Sequence, residues 1–360
     1  NYKPVLGPYE QDHKIWTITT SQLIEVSPGE DIQSAIDSLP EEGGVVELKE
    51  GIWNLSSTIH IKKSNITLRG QGMDKTILTR ATPGISPLID INKAGDAVGR
   101  AAWHYNNKEQ SWFFNYPRVP FNFGAHLWNV VVRDLCIKGG GEGSNDNYGI
   151  YGAELTDSMI SSVKTENHDM RGIEIGASVN VIVKECVSIS DGGGPRIAGS
   201  ASCNMIGNIV IRPWRYDGLE TNGLWRSPYT ELPEYPPPKV LGNRVDRGAA
   251  GGIFIYSTLD AMVSGNLAEN CGRYGISVTI SKNCLISKNI LRKNQQSGLV
   301  YRTTNDILNN NFTNNIIYSN GGNGITFEQR DTNEGILGAV SYTHLRAHET
   351  EADLVCRLLL

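Results

Sequence analysis

Apolar and polar residues alternate along this chain in short runs, and the runs return at fixed distances. One repeated feature is a Gly opening a Gly-apolar-x-apolar segment: Gly172-Ile-Glu-Ile, Gly218-Leu-Glu-Thr, Gly252-Ile-Phe-Ile, Gly275-Ile-Ser-Val, Gly298-Leu-Val-Tyr and Gly324-Ile-Thr-Phe. The other is an Asn ahead of an apolar run, at Asn208, Asn243, Asn266, Asn289 and Asn315. The Asn steps are 35, 23, 23 and 26, and from Gly218 the Gly steps are 34, 23, 23 and 26. Two columns in step define one unit of about 23 residues, the signature of a solenoid, and the long first step marks an insertion. Each unit holds β-branched alternating runs broken by Gly, Asn and Ser and no helical stripe, which predicts an all-β fold, a parallel β-helix.

The amino-terminal part predicts one strand within residues 1–27 and then a helix. Ile32, Ala35, Ile36 and Leu39 fall at helical spacing behind the acidic start Glu30-Asp31, so a short amphipathic helix is expected to cap the solenoid. Val45-Val-Glu-Leu, Trp53-Asn-Leu, Thr58-Ile-His-Ile and Ile66-Thr-Leu-Arg then alternate as half-buried strands do. Two stretches interrupt the repeat. Residues 94–125 are rich in Trp, Tyr and Phe and could wall a sugar groove or pack on the solenoid flank; residues 223–238 are Pro-rich and stiff. The second stretch leaves the end of the Glu220 strand, which predicts that it stands beside whatever that strand displays.

The run GEDIQSAIDSLPEEGGVVELKEGIWNLSSTIHIKKSNITLRGQG, residues 29–72, resembles the cap and first coils of the pectate-lyase superfamily. That resemblance covers about residues 28–335 and implies a right-handed parallel β-helix, with residues 1–339 as one domain. It implies an extracellular or periplasmic setting and a carbohydrate ligand, and it leaves the activity open, because the fold hosts lyases, hydrolases, epimerases and tailspikes. The polygalacturonase-like motifs are absent, Arg212-Pro-Trp-Arg215 only approaches the pectate-lyase-like Arg-x-Pro-x-x-Arg, and the Asp-Pro-His of mannuronan epimerases is missing. No family residue is therefore carried over. From Val340 the repeat stops, and VSYTHLRAHET resembles translated sequencing-adapter read-through, so residues 340–360 are expected to be a non-native tail with the natural last coils missing.

Composition narrows the reading a little further. Thirty-nine Gly suit a strand-and-turn chain, since Gly supplies the positive φ of tight corners. A net charge of −5 gives no clustered basic footprint for nucleic acid, and no run of about 18 apolar residues predicts a membrane-spanning helix. Of the six Cys, Cys136, Cys186, Cys203, Cys271 and Cys284 have no paired spacing and are expected as small core residues. The chain begins at Asn1 with no signal peptide, which leaves export undecided.

In a strand, successive side chains alternate between core and solvent, so the x of Gly-Ile-x-Ile points outward. Stacked coils then give an outward column of Tyr151, Glu174, Ala198, Glu220, Phe254, Ser277, Val300 and Thr326. Two residues on, a second column reads Ala153, Gly176, Ser200, Asn222, Tyr256, Thr279, Arg302 and Glu328. Glu174 and Glu220 would flank a small Ala with backbones about 9.6 Å apart, within reach of the carboxyl spacing of inverting glycosidases. Asp169, Asp191 and Asp217 on the entering turns add carboxylates, and crowded acids raise one another's pKa, as a general acid requires. Glu174, Glu220, Asp217, Asp191 and Asp169 are thus the catalytic candidates. His168, Arg171, Arg196, Trp225, Arg226, Arg247, Tyr256 and Arg302 are the substrate-binding candidates, with arginines suited to a uronate carboxylate. The three aspartates are also a candidate Ca²⁺ site, with no other cofactor expected. These residues point to a glycoside hydrolase, with two alternatives: a lyase using Arg196 or Arg302 as base, and a non-catalytic glycan-binding solenoid such as a tailspike or adhesin.

Overall fold

The computed structural model describes residues 22–92, 126–145, 147–225, 236–303, 309–331 and 335–342. The first expected insertion, residues 226–235 of the second, and residues 343–360 lie outside them. From Arg171 to Thr313 the chain winds through three parallel sheets, one short strand in each per coil. Leu219–Trp225, Lys239–Leu241 and Arg244–Asp246 make one such coil, and Ile253–Tyr256, Met262–Ser264 and Leu267–Glu269 the next. Each strand pairs in parallel with its counterpart a coil later. Inward residues such as Ile173, Leu219, Ile253, Val263 and Ile276 are buried in one apolar cluster running from Val26 to Ile317.

Both repeated columns have a physical cause. Asn208, Asn243, Asn266 and Asn289, all buried, and the half-buried Asn315 form a ladder at the corner between the second and third sheets. The side-chain oxygen of Asn266 accepts from Asn243 N and Nδ2 at 2.9 and 3.0 Å, while its Nδ2 donates to Val240 O and Asn289 Oδ1, both at 2.9 Å. Each Asn thus satisfies backbone groups that the turn would otherwise leave buried and unpaired. The residue just before it is left-handed: Gly207, Gly242 and Gly265 take φ of 64, 61 and 66°, and Lys288 and Asn314 take 55 and 53°.

The column glycines differ from expectation, because Gly218, Gly252, Gly275 and Gly298 are not at positive φ. They are required by space. A Cβ on Gly252 would lie 2.3 Å from Gly275 O, and one on Gly218 would lie 2.2 Å from Val245 Cγ1. The expected cysteines are buried and free, with burial pushing the Cys186 and Cys203 thiols up to about 12, as core residues rather than reactive ones.

The amino-terminal end is closed by the helix Ile32–Ser38, which buries Ile32 and Ile36 over the first coils. Asp31 caps it by accepting from Gln33 N at 2.9 Å. At the other end Gly335–Tyr342 pairs antiparallel with Ile325–Asp331, the sole departure from parallel pairing among the described strands. Residues 340–342, the start of the tail expected to be foreign, complete that strand and cover an edge that would otherwise be free to pair. No described helix is long and apolar enough to cross a membrane.

Candidate functional site

The first sheet, which carries the Gly-apolar-x-apolar strands, sets the outward column by its register. Tyr151 pairs with Glu174, Glu174 with Arg196, Arg196 with Glu220, and Glu220 with Phe254. Arg196, not Ala198, therefore stands between the two acids, and Ala198 belongs to the next column, between Gly176 and Asn222, in the place expected for Ser200. The cause is local. Gly194 is the column glycine of this coil, since a Cβ there would fall 1.8 Å from Gly218 O, and buried Pro195 takes the inward apolar place. The steps from Gly172 to Gly194 and on to Gly218 are 22 and 24, so the repeat length itself carried the signal.

The open space expected between Glu174 and Glu220 is consequently filled. Arg196 Nη1 donates to Glu174 Oε1 at 3.0 Å, and its Nε lies 3.1 Å from Glu220 Oε1, off the direction of a hydrogen bond. Arg171 joins from the strand Arg171–Gly176: its Nη2 donates to Glu220 Oε2, its Nη1 to Gly194 O at 3.2 Å, and its Nε is 3.7 Å from Glu174 Oε2. Two guanidiniums and two carboxylates thus form a closed square. Glu174 and Glu220 are 5% and 9% exposed instead of facing solvent freely, since the arginines lie across them. Burial pushes the Glu174 carboxyl above its usual range, against the pull of Arg196 and Arg171.

Asp217 sits at the turn entering the Glu220 strand. Its Oδ1 accepts from Gly251 N at 2.8 Å and from the Tyr274 hydroxyl at 3.0 Å. Burial and the neighbouring Glu220 charge raise its pKa, while Tyr274, Arg171 and the Gly251 N–H work the other way. Aromatic rings surround this ground. Tyr148 stacks on Tyr151 at 4.7 Å, Phe254 lies 5.5 Å from Tyr256 and 6.5 Å from Tyr274, and the Arg171 guanidinium covers Tyr216 at 5.1 Å. Arg302 stands over Tyr274 at 5.5 Å and is held by Glu328 and Ser277 at 2.7 and 2.8 Å. Tyr148, Tyr151, Tyr216, Phe254 and Tyr274 were missed as candidates; Tyr151 and Phe254 stood in the outward column but were read only as neighbours of the acids.

Other candidates do not join the cluster. His168 and Asp191 are both 0% exposed, so neither can touch a ligand. The Asp191 carboxylate takes four donors inside the coil corner: His168 N at 2.9 Å, His168 Nδ1 at 2.7 Å, and the Thr165 and Ser188 hydroxyls at 2.6 Å each. Asp169 accepts from Gly143 N, 26 residues earlier in the chain, at 3.1 Å. The three aspartates therefore serve three separate sets of partners, and among the described residues no group of His, Cys, Asp or Glu is arranged to hold a metal ion. That geometry does not support the candidate Ca²⁺ site. Arg247 pairs with the adjacent Asp246 at 3.0 Å on the third sheet. Trp225 ends its strand with a side chain outside the described residues, as is the whole of Arg226.

With this geometry in place, residues 234–336 match the family model described as right handed beta helix region. Among solved structures, the A-module of the mannuronan C-5 epimerase AlgE6 from Azotobacter vinelandii superposes with a TM-score of 0.61. It is 15% identical over 82% of this chain and 74% of its own. The chain is a right-handed parallel β-helix. The resemblance to the pectate-lyase superfamily thus holds at the level of fold. PfbA, a surface adhesin of Streptococcus pneumoniae, matches this β-helix at 13% identity over 90% of this chain and all 100% of its own, with a TM-score of 0.45. The catalytic domain of a GH87 α-1,3-glucanase matches at 13% identity over 86% and 68%, also at 0.45. The likeness to the epimerase module, at 15% identity, speaks for the fold alone. A comparison with curated proteins gives no sequence match.

Proposed function

We propose that this β-helix is a glycoside hydrolase that cleaves a glycan lying across the aromatic-flanked face of its first sheet. The observation that carries this reading is Asp217, a half-buried carboxyl kept outside the ion-pair square, with its pKa raised by burial and by Glu220. A carboxyl whose pKa is raised, next to a second carboxylate, is the arrangement that a general acid for cleaving a glycosidic bond requires. Asp217 gives its proton to the leaving oxygen, and Glu220 takes a proton from the water whose oxygen bonds to the anomeric carbon. Glu174 and Arg171 keep the square closed, and the rings offer flat faces to sugar rings. A polymer of this kind is met outside the cytoplasm, in keeping with the setting expected from the resemblance.

The lyase alternative has less support. Burial opposes the charge on Arg196, but Glu174 and Glu220 outweigh it and hold the guanidinium's pKa above its usual value, the opposite of what a base needs. Both guanidiniums of the square already face Glu174 and Glu220, so a uronate carboxylate would have to compete with those two acids for them. Incubation with a panel of polysaccharides tests the reading. New reducing ends without ultraviolet-absorbing unsaturated products are expected, and Asp217→Asn and Glu220→Gln should each lower turnover by about 10²–10⁴-fold. Unsaturated products would make the protein a lyase, and binding without any product would make it a glycan-binding solenoid.

A further inference from the structure

Asp217, Gly251 and Tyr274 each directly precede a column glycine, so they occupy the same turn position in three successive coils. Two coils separate Asp217 from Tyr274, a rise of about 9.6 Å, and the tyrosine spans it to place its hydroxyl 3.0 Å from Asp217 Oδ1. It can do so because the intervening residue has no side chain. A Cβ on Gly251 would lie 2.2 Å from Tyr274 Cε2 and 2.6 Å from Asp217 Oδ1. The Gly251 N–H completes the cradle at 2.8 Å from the same oxygen. The ring is fixed in turn: it is 6% exposed, and Arg302 lies over it at 5.5 Å, itself tied to Glu328 and Ser277.

Both donors go to Oδ1. No hydrogen bond between Oδ2 and another described residue holds it, so Oδ2 is the oxygen left to carry the proton. We propose that Tyr274 is a positioning residue, reaching through the gap at Gly251 to hold the Asp217 carboxyl with Oδ2 turned toward the scissile oxygen. This rests on the reading of Asp217 as general acid. The titratable and charged groups that act on Asp217 are Glu220 and Arg171 from the sheet face, Tyr274 from the turn, and the Cys271 thiol behind it. Tyr274→Phe removes one donor and keeps the ring under Arg302.

The test combines two readouts on the full chain. Difference infrared spectroscopy follows the protonated carboxyl stretch with pH, with Asp217→Asn assigning the band. Kinetics use the polysaccharide that the wild-type protein cleaves best in a panel. Losing a hydrogen bond to the charged form favours the neutral one, so Tyr274→Phe should move the Asp217 midpoint up by about one unit. The alkaline limb of the rate profile should rise with it, because a general acid works protonated. Turnover should fall about tenfold or more with KM little changed. Gly251→Ala, which pushes the ring away, should shift the midpoint in the same direction. An unmoved midpoint and limb in Tyr274→Phe, with Asp217→Asn inactive, would overturn the positioning role alone. Wild-type turnover in Asp217→Asn would overturn the acid assignment and the positioning role together.

Discussion

Arg196 is the residue that the register places between Glu174 and Glu220, and Arg196→Met removes its charge while keeping most of its aliphatic stem. Both carboxylates would then share Arg171 alone, through contacts of 3.7 Å to Glu174 and a direct hydrogen bond to Glu220. Removing one partner of a buried ion pair costs about 3–5 kcal/mol, because the remaining charge is neither hydrated nor paired. The loss should depend on pH in a definite direction. The Glu174 carboxyl already sits above its usual range by burial, and deleting Arg196, its largest downward influence, sends it higher. A folded-state pKa above the unfolded one means that both states are protonated at low pH and the deficit vanishes there. Against wild type it grows as pH rises through the wild-type folded value toward the higher folded value of the variant. Urea unfolding followed by tryptophan fluorescence should therefore show a deficit against wild type that is small below about pH 4 and larger at about pH 8. A deficit equal at both pH values would mean that only packing was lost, and one under about 1 kcal/mol at pH 8 would refute the closed square.

Asn266→Ala should be costly for a different reason: it orphans the Asn243 N–H and Val240 O, at about 1–3 kcal/mol each, so an unfolding deficit of about 2–6 kcal/mol is expected. Asn283→Ala breaks one exposed bond to Asp260 and puts Ala at a φ of 55°, so it should cost less, about 1–2 kcal/mol, from the backbone rather than from orphaned buried groups. Gly252→Ala should lower stability by about 1–3 kcal/mol through overpacking against Gly275 O, whatever its φ. Chelator should leave both melting temperature and turnover unchanged, since Asp169, Asp191 and Asp217 do not converge; a loss reversed by calcium would contradict that.

The solenoid was legible because its causes are local and repeated. Asn at the corner and Gly before the first-sheet strand each answer a need that every coil has, so they recur at the coil length. The inward face was legible too, as alternation alone places Ile173 and Leu219 in the core. The site was harder to read. Its key coil writes the column as Gly194-Pro195-Arg196, and a proline in the apolar place hides the pattern, which moved the register by two residues and exchanged an arginine for an alanine. His168 and Asp191 look like exposed turn residues, because a sequence does not reveal that Thr165, Ser188 and His168 will together turn four donors onto one carboxylate. Tyr274 reaches Asp217 across two coils, a contact set by the absence of a side chain at Gly251 and invisible to any spacing rule.

The most direct test is a crystal structure of the Asp217→Asn protein with an oligosaccharide of the glycan that the wild type cleaves. A glycosidic oxygen within about 2.6–3.2 Å of the residue-217 side chain, with sugar rings against Tyr151 or Phe254 and the Glu220 carboxylate facing the anomeric carbon, is the expected result. An oligosaccharide bound on the second or third sheet, or one on the first sheet with its linkage out of reach of residue 217, would contradict the hydrolase reading.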